Sequence, residues 1–211
     1  HLFCAYSEDA SWLLEVRVEG GAWEVAVRGN PTELPSPCRI AAGGGRLLVL
    51  ADEAVYELSP DGELEVSQVD GLPVAVATCS AIMASRDRVL VCGNEAGTGL
   101  LALLSRDHGA WVVSKTAELP GEVAVALALG DTAFVVGGKA GQPAASPIGW
   151  LQLIDWSGRV LAYSDHPAPV AALAVAGDYI AAHGILSSFS FYDMSLTPLW
   201  DHGSLLSPVS V

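Results

Sequence analysis

Four-residue apolar runs return along this chain, each behind a turn that carries glycine, aspartate or arginine. Gly45-Arg46 precedes Leu47-Leu48-Val49-Leu50, and Arg86-Asp87-Arg88 precedes Val89-Leu90-Val91-Cys92. Gly130-Asp131 is followed by Ala133-Phe134-Val135-Val136, and Gly177-Asp178 by Tyr179-Ile180-Ala181-Ala182. Runs this short, apolar at consecutive positions rather than at helical spacing, predict buried strands. With Arg46, Arg88, Asp131 and Asp178 as equivalent marks, the steps are 42, 43 and 47 residues. A period in that range is the signature of small sheets stacked or arranged radially.

The remainder of each period reads in the same register. Further strands are expected over Ala54 to Leu58, Leu100 to Leu104, Leu151 to Ile154 and Ser190 to Tyr192. Polar turns then lead into Leu64 to Val66, Trp111 to Val113, Val160 to Ala162 and Pro198 to Trp200. Asp61-Gly62, Asp107-His108-Gly109, Ser157-Gly158 and Met194-Ser195 are the hairpin signals between them. One more strand precedes each mark: Cys38 to Ala42, part of Val74 to Ala84, Val123 to Leu129, and Val170 to Val175. Four strands in about forty residues match a propeller blade. The small side chains of Val123 to Ala128 and Val170 to Val175 suit its crowded innermost strand.

On these residues the chain resembles the β-propeller superfamily, most nearly its WD40-like members. Ile154-Asp155-Trp156 and Tyr192-Asp193 stand where such repeats carry Trp-Asp, whereas Leu58-Ser59 and Leu104-Ser105 depart from the pattern and no repeat opens on Gly-His. The ends bear on blade count. Leu2 to Tyr6, Trp12 to Val18 and Trp23 to Val27 read as three strands lacking a first, and Pro208 to Val211 read as the start of one. Pairing the two ends gives five blades with a composite closing blade and removes open sheet edges. The alternative is part of a six- or seven-bladed propeller.

Composition narrows the functional classes. With 211 residues, 51% hydrophobic and 16% charged, the chain is long and apolar enough for one sizeable core, so 1–211 is expected to form a single propeller domain or segment. Its apolar runs are far shorter than the ~20 residues of a membrane-crossing helix, and no membrane insertion is expected. Formal net charge is −14 and no basic run is present. Nucleic-acid binding needs Lys and Arg to neutralise phosphates, so nucleic acid is not an expected partner. Cys4, Cys38, Cys79 and Cys92 lack metal-ligand spacing and fall in apolar strands, which reads as free buried thiols and a cytoplasmic setting.

Candidate chemistry is sparse. Asp52, Glu53 and Glu57 lie near a blade edge, and Asp155 and Asp193 at the ends of third strands. A glycosidase needs two carboxyl groups across one cleft. The innermost strands are nearly free of acids, so these residues are read as turn formers. His108, His166, His183 and His202 occur in changing contexts without a metal-binding trio. Gly43-Gly44-Gly45 lacks the Lys and Ser or Thr of a phosphate loop. No catalytic residue, metal or cofactor is assigned, and a small-molecule ligand is not expected.

The resulting expectation is a noncatalytic protein–protein interaction scaffold, a subunit or domain of a larger assembly. A glycoside hydrolase or carbohydrate-binding propeller with an axial pocket is the alternative. Long loops on rigid frames carry binding residues, and two stand out: Gly29 to Pro37 and Lys139 to Gly149. On the second, Gln142, Ile148 and the adjoining Trp150 are the expected protein-binding residues. The other tryptophans, Trp12, Trp23, Trp111, Trp156 and Trp200, are expected in the core or between blades.

Overall fold

The computed structural model describes residues 2–7, 11–19, 22–28, 38–43, 46–51, 54–58, 64–75, 78–85, 87–140, 148–185 and 188–202. These contain nineteen strands in five antiparallel sheets. The first sheet is a three-stranded meander of β1 (Leu2–Ser7), β2 (Ser11–Glu19) and β3 (Ala22–Arg28). Four four-stranded meanders follow. The second sheet comprises β4 (Cys38–Gly43), β5 (Arg46–Ala51), β6 (Ala54–Leu58) and β7 (Leu64–Gln68). The third comprises β8 (Cys79–Ala84), β9 (Arg88–Glu95), β10 (Thr98–Asp107) and β11 (Ala110–Glu118). The fourth comprises β12 (Gly121–Leu129), β13 (Ala133–Ala140), β14 (Gly149–Asp155) and β15 (Val160–His166). The fifth comprises β16 (Val170–Ala176), β17 (Tyr179–Gly184), β18 (Phe189–Asp193) and β19 (Pro198–His202). Every four-strand period read from the sequence is present. Of the Val74 to Ala84 run, Cys79–Ala84 forms the strand, and Val74 lies in the connecting segment, where its buried side chain joins the core.

The continuous apolar runs have a simple cause, because successive sheets stack and cover both faces of the strands between them. Leu48 and Leu50 of β5 pack with Val89 and Val91 of β9, while Leu47 and Val49 face the opposite way. Leu90 and Cys92 turn from β9 toward Phe134 and Val136 of β13. Ala133 and Val135 face Ile180 and Ala182 of β17. Adjacent strand residues point to opposite faces, so a strand covered on both sides is apolar at every position. The innermost strands β4, β8, β12 and β16 lie next to one another in order, and β1 lies beside β4. Among the described residues the five sheets do not close into a ring. Pro208 to Val211, the expected closing strand, lie outside the described residues.

Two irregularities recur at equivalent places. The pairing of the first strand with the second shifts register at Cys79/Ala81, Val123/Val125 and Val170/Ala172. The pairing of the third with the fourth shifts at Leu103/Leu104, Leu153/Ile154 and Phe191/Tyr192. Such bulges bend a strand and increase its twist. Close approach between sheets also repeats. A side chain at Gly99 would collide with the carbonyl of Gly121, and one at Gly149 with that of Ala168. Each glycine admits the backbone that enters the following blade.

Candidate interaction surface

Several charged side chains hold neighbouring sheets together. Arg39 donates from Nε to the Cys79 carbonyl of the next blade at 3.2 Å. Arg106 pairs with the buried Glu57 of the preceding blade and lies 5.0 Å over the Trp111 ring. Arg88 donates to the Trp156 carbonyl, and Lys115 Nζ to that of Gly158 at 2.8 Å. Asn94 clamps the third blade to the fourth: its Oδ1 accepts from Val123 N, and its Nδ2 donates to Val123 O, both at 2.8 Å.

The candidate carboxylates separate into such structural roles. Asp155 Oδ1 accepts from Ser157 N at 2.9 Å, Ser157 Oγ at 2.5 Å and Arg159 N at 3.0 Å. Asp193 Oδ1 repeats the arrangement with Ser195 N, Ser195 Oγ and Thr197 N at 2.8, 2.7 and 2.9 Å. Hydrogen bonds to the charged form, that of Ser157 foremost, hold the Asp155 carboxyl at about 2, and those of Ser195 foremost lower Asp193 as well. Both therefore cap the hairpin between the third and fourth strands, as the sequence reading had it. The four described innermost strands carry only Arg39 and Glu122 as charged residues. Glu122 pairs with Lys139 at 2.9 Å. Asp52 and Glu53 lie outside the described residues.

The histidines are similarly dispersed. His108 occupies a left-handed turn position, with Nδ1 2.7 Å from Asp107 Oδ1. His166 is wholly buried between the last two blades, its Nδ1 2.6 Å from the Ala168 carbonyl oxygen. The His183 ring is tilted against that of Phe189 with centroids 6.4 Å apart. Among the described residues no group of three His, Cys, Asp or Glu could hold a metal ion. Cys79 and Cys92 are buried free thiols and Cys38 is a partly buried one. Burial pushes the thiols of Cys79 and Cys92 upward, which keeps them protonated and unreactive. Among the described residues no helix is long and apolar enough to cross a membrane, a statement that leaves β-barrels aside.

The long loop of the fourth blade is an expansion of a connection that is tight elsewhere. In the third blade β9 and β10 are joined by Ala96-Gly97, both at positive φ, a two-residue hairpin turn. In the fourth, β13 and β14 are joined across 141–148, and the base is pinned by Ala140 N donating to Ile148 O at 2.8 Å. Trp150 is fully buried between the third and fourth blades and donates from Nε1 to the Lys139 carbonyl at 3.1 Å. Ile148 is 44% exposed. Gln142 lies outside the described residues. Trp111 and Trp156 are buried between blades as expected, whereas Trp200 of β19 is 49% exposed.

The opposite edge of the sheets is formed by turns, and it is acidic. Asp87, Asp131 and Asp155 line a cleft of about 430 Å³ between the third and fourth blades, with Arg88 and Trp156. An apolar cleft of the same volume opens between the fourth and fifth blades, lined by Leu129, Leu153, Leu161, Val175 and Met194. Neither cleft was visible in the sequence, because each is assembled from turns some forty residues apart.

No protein-family model matches the sequence, and no curated protein does. Solved structures do match it. The WD40 domain of Toxoplasma gondii coronin aligns with 95% of the chain at 11% identity and a TM-score of 0.56, with 50% of that domain chain covered. The computationally designed Ika8 protein aligns with 96% at 16% identity and 0.53, with 61% covered. BBS1N, solved in complex with ARL6DN, aligns with 95% at 11% identity and 0.53, with 68% covered. The chain thus spans half the length of the coronin domain chain and less than two thirds of the designed one. Four successive four-stranded meanders, stacked face to face through their second and third strands and agreeing over nearly their whole length with these structures, give the chain the β-propeller fold.

Proposed function

We propose that this chain is a noncatalytic protein-interaction scaffold, a propeller domain or subunit of a larger assembly in a reducing, cytoplasmic setting. The observation that carries the reading is how the charged groups are used. Arg39, Arg88, Arg106 and Lys115 tie one sheet to the next, and Asp155 and Asp193 shape turns. What the described frame offers to solvent is a set of half-exposed apolar residues such as Ile148, and a long connection between β13 and β14 stands beside it in sequence, the kinds of feature through which rigid frames hold partners. BBS1N, whose fold is similar, was solved in a complex with another protein. The free thiols support the reducing setting. Gln142 and Ile148 are the proposed contacts, with the buried Trp150 holding the base of the connection through the Lys139 carbonyl.

Affinity purification from the native source, with the co-purifying proteins identified and then tested in reconstituted form, checks the proposal. A stoichiometric partner that binds the purified chain directly is the expected result. Recovery of a lone monomer that turns over a sugar or other small substrate would overturn it.

A further inference from the structure

The joint between the fourth and fifth blades lacks the cations that close the joint before it. Between the third and fourth blades, Arg88 at the start of β9 donates to the Trp156 carbonyl, and Lys115 of β11 donates to the Ser157 and Gly158 carbonyls of the same turn. The bulges at Leu103/Leu104 and Leu153/Ile154 align the two blades and make Ser105 equivalent to Asp155. Their partners across the sheet are Arg88 and Ala133, so alanine stands in the fourth blade where the third has its arginine. By the same alignment Ala162, opposite Leu153, replaces Lys115, opposite Leu103. The matching bulge at Phe191/Tyr192 puts Met194 and Leu196 of the fifth blade at the positions of Trp156 and Gly158.

One of these two losses is made good within the chain. A β-carbon on Gly158 would meet the Lys115 stem at 2.6 Å, so a side chain there and the lysine exclude each other. At the next joint Leu196 supplies that side chain, buried in the core between the blades. Among the described residues no side chain takes the place of the arginine. Ala133 instead lines the apolar cleft of about 430 Å³, together with Leu129, Leu153, Leu161, Val175 and Met194. Met194 is 37% exposed, whereas its counterpart Trp156 is buried edge to face on Phe134. The cleft opens on the turn edge between two described sheets, and a sheet added to the stack covers a face rather than this edge.

The margin of the cleft is acidic. Asp131 and Asp178 are exposed at the first turn of each flanking blade, and among the described residues neither has an ion-pair partner. Arginine matches both features, because its stem is apolar, its planar head is weakly hydrated, and its fork of donors suits carbonyl and carboxylate oxygens.

Resting on the scaffold reading above, we propose that this cleft receives an arginine side chain, flanked by apolar residues, from a partner protein. The stem lies on Leu129, Leu153 and Val175. The guanidinium takes the place that Arg88 has one joint earlier, donating to the Met194 carbonyl with Asp131 and Asp178 around it, and the apolar neighbours pack beside Leu161.

The test uses the whole chain and two capped pentapeptides, one with arginine between two leucines and its twin with citrulline, the uncharged isostere, in that position. By titration calorimetry the arginine peptide should bind at least about tenfold more tightly than its twin. Ala133→Arg puts the third-blade side chain into the cleft, and Met194→Trp fills the cleft from an exposed turn. Each should keep the far-ultraviolet sheet signal and lower the affinity at least about tenfold, and the exposed change Asp178→Asn should weaken binding severalfold. No binding of the arginine peptide, equal affinity of the two peptides, or wild-type affinity in every folded variant overturns the proposal. So does radical footprinting that finds Leu161 and Met194 covered in the free monomer, or a dimer of the free chain that Met194→Trp dissociates. A native partner that binds the Met194→Trp and Asp178→Asn variants unchanged overturns this placement and leaves the scaffold reading standing. Failure of the scaffold reading shows instead as the absence of any native partner.

Discussion

Asp155 shows how much of a sequence motif can be local hydrogen bonding. One carboxylate oxygen gathers the amides of Ser157 and Arg159 and the Ser157 hydroxyl, and the charged form is favoured to a value of about 2. A group depressed in the folded state contributes stability above its unfolded value and loses that contribution as pH falls through the folded one. The melting temperature is therefore expected to drop between about pH 4 and pH 2, and Asp155→Asn should melt lower at neutral pH with a shallower acid slope. A calorimetric pH series on both proteins measures this; parallel slopes would contradict it. Trp150 and Ile148 divide the loop edge in a comparable way. Trp150→Ala removes a buried indole and should cost about 3–5 kcal/mol in denaturant unfolding. Ile148→Ser should stay within about 0.5 kcal/mol of the parent, so that its effect on an authentic partner reads the interface alone.

At the scale of the elements, stacking explains both the composition of the strands and their unequal protection. β9 and β13 are covered on both faces and consist of buried apolar residues over most of their length. β17 alternates, with Ile180 and Ala182 buried toward the fourth sheet and Tyr179 and His183 exposed on the other side, and β16 is exposed over most of its length. Fewer buried contacts mean a lower free energy of local opening. Amide hydrogen exchange should accordingly be slowest in β9 and β13 and faster in β16–β19. Uniform protection through the last three sheets would show that stacking is not the source of their stability.

For the whole molecule the governing quantity is its charge. With 24 acidic and 10 basic residues, long-range repulsion acts against the compact state. Surface ion pairs such as Lys139–Glu122 contribute about 0–1 kcal/mol each and are screened by salt, while the buried Arg106–Glu57 pair is screened less. Net repulsion is therefore the larger salt-dependent contribution. Raising the ionic strength from low to moderate should increase the melting temperature, and a decrease would show that the pairs dominate.

The sequence by itself determined the repeating strands, their meander and their number per period, because each depends on neighbours within a hairpin. Turn residues mark the reversals, and continuous apolar runs such as Val89 to Cys92 record that both faces are buried. It also determined that Asp155 and Asp193 belong to turns, since their hydrogen-bond partners lie two and four residues ahead. Only the tertiary structure decided which polar and charged residues join separate blades. Asn94 and Val123 are 29 residues apart and Arg106 and Glu57 are 49, and no local pattern encodes such pairs. The recurring bulges follow from packing a twisted sheet on its neighbour, which shifts register without changing the apolar pattern. Likewise, the run Phe189 to Tyr192 contains apolar residues that a sequence reading assigns wholesale to the core. Whether a strand face becomes core depends on the next sheet: Tyr192 of this run is buried against the fourth sheet, while Phe189 and Phe191 on the other face of the strand are only partly buried.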